Sequence, residues 1–206
     1  MSQIENSTPG THKLAIGSLL LICLLSLGAS SALSQDRSKA ETIEATAQGT
    51  DTQLGKEFAV TLIISEYSPR ADKQILIDAF QNGKDKGLYN ALSKMKAVGR
   101  IAVTGTIGYD VSYIQMTPTP TGRKIRFVTN RLLRFGELWW DTRSQSYNLT
   151  AGELDLNDTD KTKSTGFLYP EAELVINKQG ELQWNLVGNP WKLVDIIDWK
   201  GTPGVD

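Results

Sequence analysis

Cysteine and histidine are nearly absent from the sequence, which holds one of each, Cys23 and His12. Both fall before residue 33, so the remainder has neither thiols for a disulfide framework nor imidazoles for a metal or haem centre. Ser-His-Asp hydrolysis, Cys-His nucleophilic catalysis, His-ligated zinc and His-ligated haem are thereby excluded together. No cofactor or metal is implied, and carboxylates, Lys, Tyr, Ser and Thr are what remains for chemistry. A surplus of charge is missing too. The 22 basic and 23 acidic residues leave a formal net charge of −1, which gives no attraction to nucleic acid.

What the sequence does hold begins with an apolar run. After His12 and Lys13, residues 14–27 are almost wholly apolar, and they lead into Ala29-Ser30-Ser31-Ala32. The run is shorter than the ~20 residues that span a bilayer, and small residues of this kind are where signal peptidase cuts. Residues 1–32 are read as a signal peptide cleaved after Ala32, which predicts export to the periplasm or the medium. Membrane contact would come only through an uncleaved signal segment. Ile22, standing before Cys23 where a lipid-attachment signal wants a small residue, argues against a lipoprotein.

Residues 33–56 are rich in Ser, Thr, Gln, Ala and charge, and are expected to form a flexible leader. A single domain is expected over 57–200, with a tail at 201–206. Phe58, Val60, Leu62 and Ile64 recur with a period of two and predict a strand at 57–66. Ser68-Pro69 reads as a helix start, Asn82-Gly83 as a stop, and Leu88, Leu92 and Met95 as the stripe of a second helix running from about Asp85 to Lys96. The two make a helical hairpin that must dock on a sheet to be stable, with Phe80 and Met95 as core residues. Beyond Gly99 nearly everything reads as strand or turn. Gly105 and Gly108 interrupt Ile101–Tyr113, Pro118 and Pro120 stiffen a turn at 117–122, and further strands are expected at about 147–156, 166–177, 181–188 and 192–199. In the third of these, Leu182, Trp184 and Leu186 alternate with polar residues, so Trp184 is expected in the core.

The fold class that follows is α+β: a curled antiparallel sheet of about eight strands, a barrel or half-barrel, with one helical hairpin. A two-layer sandwich with helices at one end is the alternative. The densest functional constellation is the aromatic segment 131–147, where Trp139 and Trp140 lie between Glu137 and Asp141 and are flanked by Arg134 and Arg143. With Tyr109 from the preceding strand region, these residues form the expected ligand-binding set, suited to a small apolar, amphipathic or glycan ligand. Glu137 and Asp141 are also a candidate carboxylate pair for a hydrolase. Asp155, Asn157, Asp158 and Asp160 crowd oxygens as a calcium loop does, but lack its glycine and terminal glutamate, and are read as a polar turn. Arg123, Lys124 and Arg126 read as a solvated basic strand face.

Several pieces of this pattern carry a family likeness. The helix pair ending in Met95-Lys96-Ala97-Val98-Gly99-Arg100-Ile101, the Gly108-Tyr109 step with Tyr113 after it, Thr129-Asn130-Arg131, and Arg143-Ser144 before Tyr147 resemble a family of uncharacterised exported bacterial proteins. The resemblance implies export and one compact domain, and carries over no catalytic or binding residue. The expected function is a non-catalytic envelope protein that binds a small ligand at the mouth of the barrel. Its rivals are a structural or protein-interaction module with an envelope partner, and a carboxylate-dependent hydrolase.

Overall fold

Alternation of apolar and polar side chains organises the described residues into nine strands. The computed structural model describes residues 40–131, 149–187 and 189–199. In chain order these form β1 (Glu41–Gln48), β2 (Glu57–Ile64), α1 (Arg70–Lys94), β3 (Gly99–Val103), β4 (Tyr109–Thr119), β5 (Gly122–Thr129), β6 (Leu149–Asn157), β7 (Thr165–Ile176), β8 (Leu182–Val187) and β9 (Trp191–Asp198). The sheet order β6-β5-β4-β3-β2-β1-β9-β7 closes on itself through β6–β7, giving an eight-stranded barrel with β8 added on β7. All pairings are antiparallel. The expected curled α+β sheet is thus a closed barrel, and the sandwich alternative is set aside.

β1 is the largest departure from expectation. Residues 41–48, expected within a flexible leader, occupy the middle of the sheet, between β2 and β9. Ile43, Ala45 and Ala47 face the interior and are buried, while Glu44 and Gln48 are exposed. The domain therefore reaches back to at least Glu41. Pro118 lies inside β4, paired with Arg123, so the expected turn at 117–122 shrinks to Pro120 and Thr121.

The barrel interior is filled. Val60, Leu62, Ile101, Val111, Ile114, Ile125, Phe127, Leu154, Leu168, Trp191 and Leu193 pack into one buried cluster, and Phe58 meets Trp191 at 4.6 Å between ring centroids. Gly152 belongs to this interior, because a Cβ there would stand 2.2 Å from the Phe127 ring. A second cluster lies on the outer wall. Leu76, Leu88 and Leu92 of α1 cover Tyr113, Val128, Leu149, Ala151, Ala172 and Leu174. Two bulges make this second cluster possible by re-aiming side chains. A register shift between Val111 and Tyr113 puts Val111 and Ile114 inside while Tyr113 faces α1, and a shift opposite Leu149 and Ala151 turns Ala172 and Leu174 outward on β7.

α1 is a hairpin, as expected. Lys84 sits at φ 49° and ψ −140°, outside helical geometry, and divides α1 into two arms. Gly87 approaches Ala79 so closely that a Cβ on it would stand 2.1 Å from the Ala79 carbonyl oxygen, so the second arm folds back on the first. Ser68 plays a different part from the cap that was expected. Pro69 takes the N-cap position with no side-chain bond, and the Ser68 hydroxyl accepts from the Ile114 backbone N–H at 3.0 Å, tying the helix entrance to β4.

Candidate functional site

β5 carries three basic residues, and the pleat sends them to opposite sides of the barrel wall. Lys124 and Arg126 point outward. Arg123 shares the inward face with Ile125 and Phe127, and is 5% exposed. The solvated basic face expected of this strand holds for Lys124 and Arg126 but not for Arg123, which the period of two places with its apolar neighbours.

The inward Arg123 is held by groups from three other parts of the chain. Its guanidinium donates to both carboxylate oxygens of Glu41 at the start of β1, to Asp198 Oδ2 at the end of β9 (2.5 Å) and to the Tyr67 hydroxyl (3.3 Å). Tyr67 in turn donates to Glu41 Oε2 at 2.7 Å. Burial disfavours the Arg123 cation, but the Glu41 hydrogen bond and charge outweigh it and raise its pKa. Burial and then the Glu41 contact push the Tyr67 phenol far above its usual range. Only the Arg123 Nε is left, among the described residues of the cluster, as a buried donor without a partner.

The outward Arg126 stands in a different setting. Cross-strand pairing sets it beside Glu153 of β6, which is paired in turn with Phe167 of β7. Arg126 Nε donates to Glu153 Oε2 at 2.6 Å, and Lys124 Nζ donates to Glu153 Oε1 at 2.8 Å. Burial alone would raise the Glu153 pKa, but the hydrogen bonds from Lys124 and Arg126 reverse the direction and lower it. The Arg126 guanidinium also lies over the Trp184 ring, 5.4 Å from its centroid. Between these groups the outer wall opens into a cleft of about 180 Å³, lined by Arg126, Ala151, Gly152, Glu153, Tyr169, Gln183 and Trp184. The Trp184 indole N–H is buried and has no hydrogen-bond partner among the described residues. The Tyr169 phenol is raised by burial and by Glu153.

A wider hollow of about 590 Å³ lies where the α1 hairpin turns over β7, lined by Lys84, Asp85, Leu88, Tyr89, Ala172 and Glu173 among others. Glu173 accepts from Asn185 at 3.1 Å. Its pKa is raised, by burial first and also by Asp85.

Of the residues singled out from the sequence, Arg134, Glu137, Trp139, Trp140, Asp141 and Arg143 lie outside the described residues. Tyr109 is partly buried against the barrel interior at the start of β4, and is not in the lining of the outer-wall cleft. Trp184 was expected in the core. It is partly buried, packed on the outer cluster by one side and lining the cleft, while Trp191 is fully buried in the barrel interior. The turn at 157–164 is the polar turn expected: Asn157 Oδ1 accepts from the Thr159 and Asp160 backbones, and Asp160 Oδ1 from Thr162. The cleft residues come from strands far apart in the chain, and no local motif joins them. The nearest thing to a signal is the alternation that puts Arg126 and Glu153 on exterior positions of neighbouring strands.

Fold and site together define the class: a filled, eight-stranded antiparallel β-barrel with an external helical hairpin and a polar-aromatic cleft on its outer wall. No protein-family model, curated protein or solved structure matches the chain.

Proposed function

We propose that the chain is an exported, non-catalytic binding protein of the cell envelope that takes a small amphipathic ligand on the outer wall of its barrel. The observation that carries this reading is the pairing of a packed interior with an outer cleft that combines aromatic rings, a buried indole N–H and fixed charges. A ligand inside the barrel would have to displace the cluster around Phe127 and Trp191, so the site moves from the barrel mouth to the wall. Among the described residues, Glu153 is the one carboxylate that lines the cleft. Its two cationic neighbours hold it ionised, which suits it poorly to donate a proton, and this supports binding over carboxylate hydrolysis.

Amide NMR of the purified protein titrated with benzyl alcohol, a simple amphipathic probe, tests the site. Saturable shifts of the Trp184 indole N–H and the Gln183 amide are expected; shifts that avoid both would overturn it. N-terminal sequencing of protein recovered from its host tests export, with Leu33 expected first and an intact Met1 counting against it.

A second reading, an interaction module, draws on β8. Among the described residues this strand pairs with β7 alone, and its sequence LQWNLV has neither charge nor proline to guard the edge. Sedimentation at rising concentration is the check, and a monomer throughout would remove self-pairing.

A further inference from the structure

Resting on the outer-wall reading above, we infer that the ligand of the cleft is a neutral sugar ring, one pyranose unit of a glycan. Volume sets the first limit. A closed cavity of about 150 Å³ is known to hold one benzene, so the 180 Å³ cleft, open to solvent on one side, seats one six-membered ring whose outer substituents project into water. Charge sets the second. The outer face brings two cations, Lys124 and Arg126, against two carboxylates, Glu153 and Asp155, with Lys124 within 4.0 Å of both acids. The local charges balance, so neither an anionic nor a cationic ligand gains from the field.

Polarity sets the third limit. A wholly apolar ring would cover Arg126, Glu153 and the Gln183 amide while returning no hydrogen bonds, at the cost that buried polar groups incur when left unpaired. Guanidinium, carboxylate and amide are planar groups with adjacent hydrogen-bonding atoms, which is the pattern that neighbouring ring hydroxyls match in pairs. The unpartnered Trp184 indole N–H adds a donor at the buried side. Tyr169 supplies apolar surface for a C–H face of the ring, beside the part of Trp184 that lines the cleft. Hydroxyls around the rim, C–H groups on the faces, six ring atoms and no charge together describe a pyranose.

The experiment is amide NMR of the purified protein against neutral methyl glycosides of glucose, galactose, mannose and N-acetylglucosamine, with glucuronate and cyclohexanol as contrasts. Saturable shifts at Trp184 and Gln183 with a glycoside, and weaker ones with cyclohexanol, are expected. Cyclohexanol or benzyl alcohol filling the cleft while every glycoside fails would overturn the sugar and leave the outer-wall site standing. Failure of every probe would overturn both. Glucuronate binding more than about tenfold tighter than glucoside would overturn neutrality. Gln183 is exposed on β8, so Gln183→Ala should leave the unfolding curve unchanged and weaken the glycoside by about tenfold, roughly one good hydrogen bond; undiminished binding would remove the amide from the site and overturn this assignment.

Discussion

Arg123 and Arg126 belong to one strand and differ in nearly everything that follows from which way they point. Arg123 is enclosed, with side-chain exposures of 6%, 9% and 15% for itself, Glu41 and Asp198, and it ties the first and last strands of the barrel to the fifth. Arg126 keeps 44% of its side chain in contact with solvent, shares Glu153 with Lys124, and covers an indole. The lesson is that the same ion-pair chemistry is structural on one side of a sheet and available for recognition on the other. Desolvation decides which: a buried charge cannot lose its partner cheaply, whereas an exposed one can trade partners with water or with a ligand.

The sharpest way to break this comparison is to remove each guanidinium in turn. Arg123→Met leaves Glu41 and Asp198 facing each other without a cation, and should cost about 3–5 kcal/mol in urea unfolding, while Arg126→Met should cost less than about 1 kcal/mol. Equal losses would show that the wall does not separate two electrostatic environments. Gly152→Ala is expected next in size. Its methyl points into the Phe127 ring on the inner side of the strand that forms the cleft floor, and overpacking of this kind costs about 1–3 kcal/mol.

Alkaline pH probes both sides through tyrosine. Tyr113, on the outer wall beneath α1, is pushed up to about 12 by burial and then by Asp72, and Tyr67 in the inner cluster is raised further. A phenol whose pKa rises on folding stabilises the fold fully below its unfolded value of about 10, and that stabilisation is lost as pH climbs through the folded value. The urea midpoint should therefore fall above about pH 10, and Tyr113→Phe or Tyr67→Phe should each flatten part of the fall; an unchanged slope in both would deny the shifts. The smallest expected effect is a gain. Lys84 holds φ 49° with ψ −140°, a conformation suited to glycine. Lys84→Gly should raise stability by about 1 kcal/mol or less, read from the thermal midpoint.

Much of the fold was legible where side chains are large. Phe58, Val60, Leu62 and Ile64 announce β2, Asn82-Gly83 marks the turn of the helical hairpin, and the polar turn after Asn157 is as its residues suggest. β1 was not legible. Its inward face is Ile43, Ala45 and Ala47, and two alanines bury too little area to stand out from a background of Thr and Glu. Ala47 is paired with Phe58, whose ring packs on Trp191 in the same buried cluster. Trp184 was misplaced for another reason. Alternation says that a strand has an apolar face but not whether that face meets the barrel interior or an external helix, and the bulge on β7 that settles the matter leaves no mark in composition. The cleft was hidden because it is assembled across β5, β6, β7 and β8, which only the closed pairing brings together.

Closure of the barrel between β1 and β9 governs how the chain can fold. That seam joins residues as far apart as Glu44 and Trp199, 155 positions along the sequence, whose side chains meet at 3.1 Å. Loop closure over such a separation must be made before its contacts reward it, so the seam forms late and slowly. Until β9 arrives, β1 presents an unpaired edge and β7 an unpaired stretch at Gly166–Leu168 beside β8, so a nascent or C-terminally shortened chain is an open sheet with templates for association. The last strand thus acts as the zip of the molecule, and the protection it gives against aggregation is available only to a chain synthesised through residue 198.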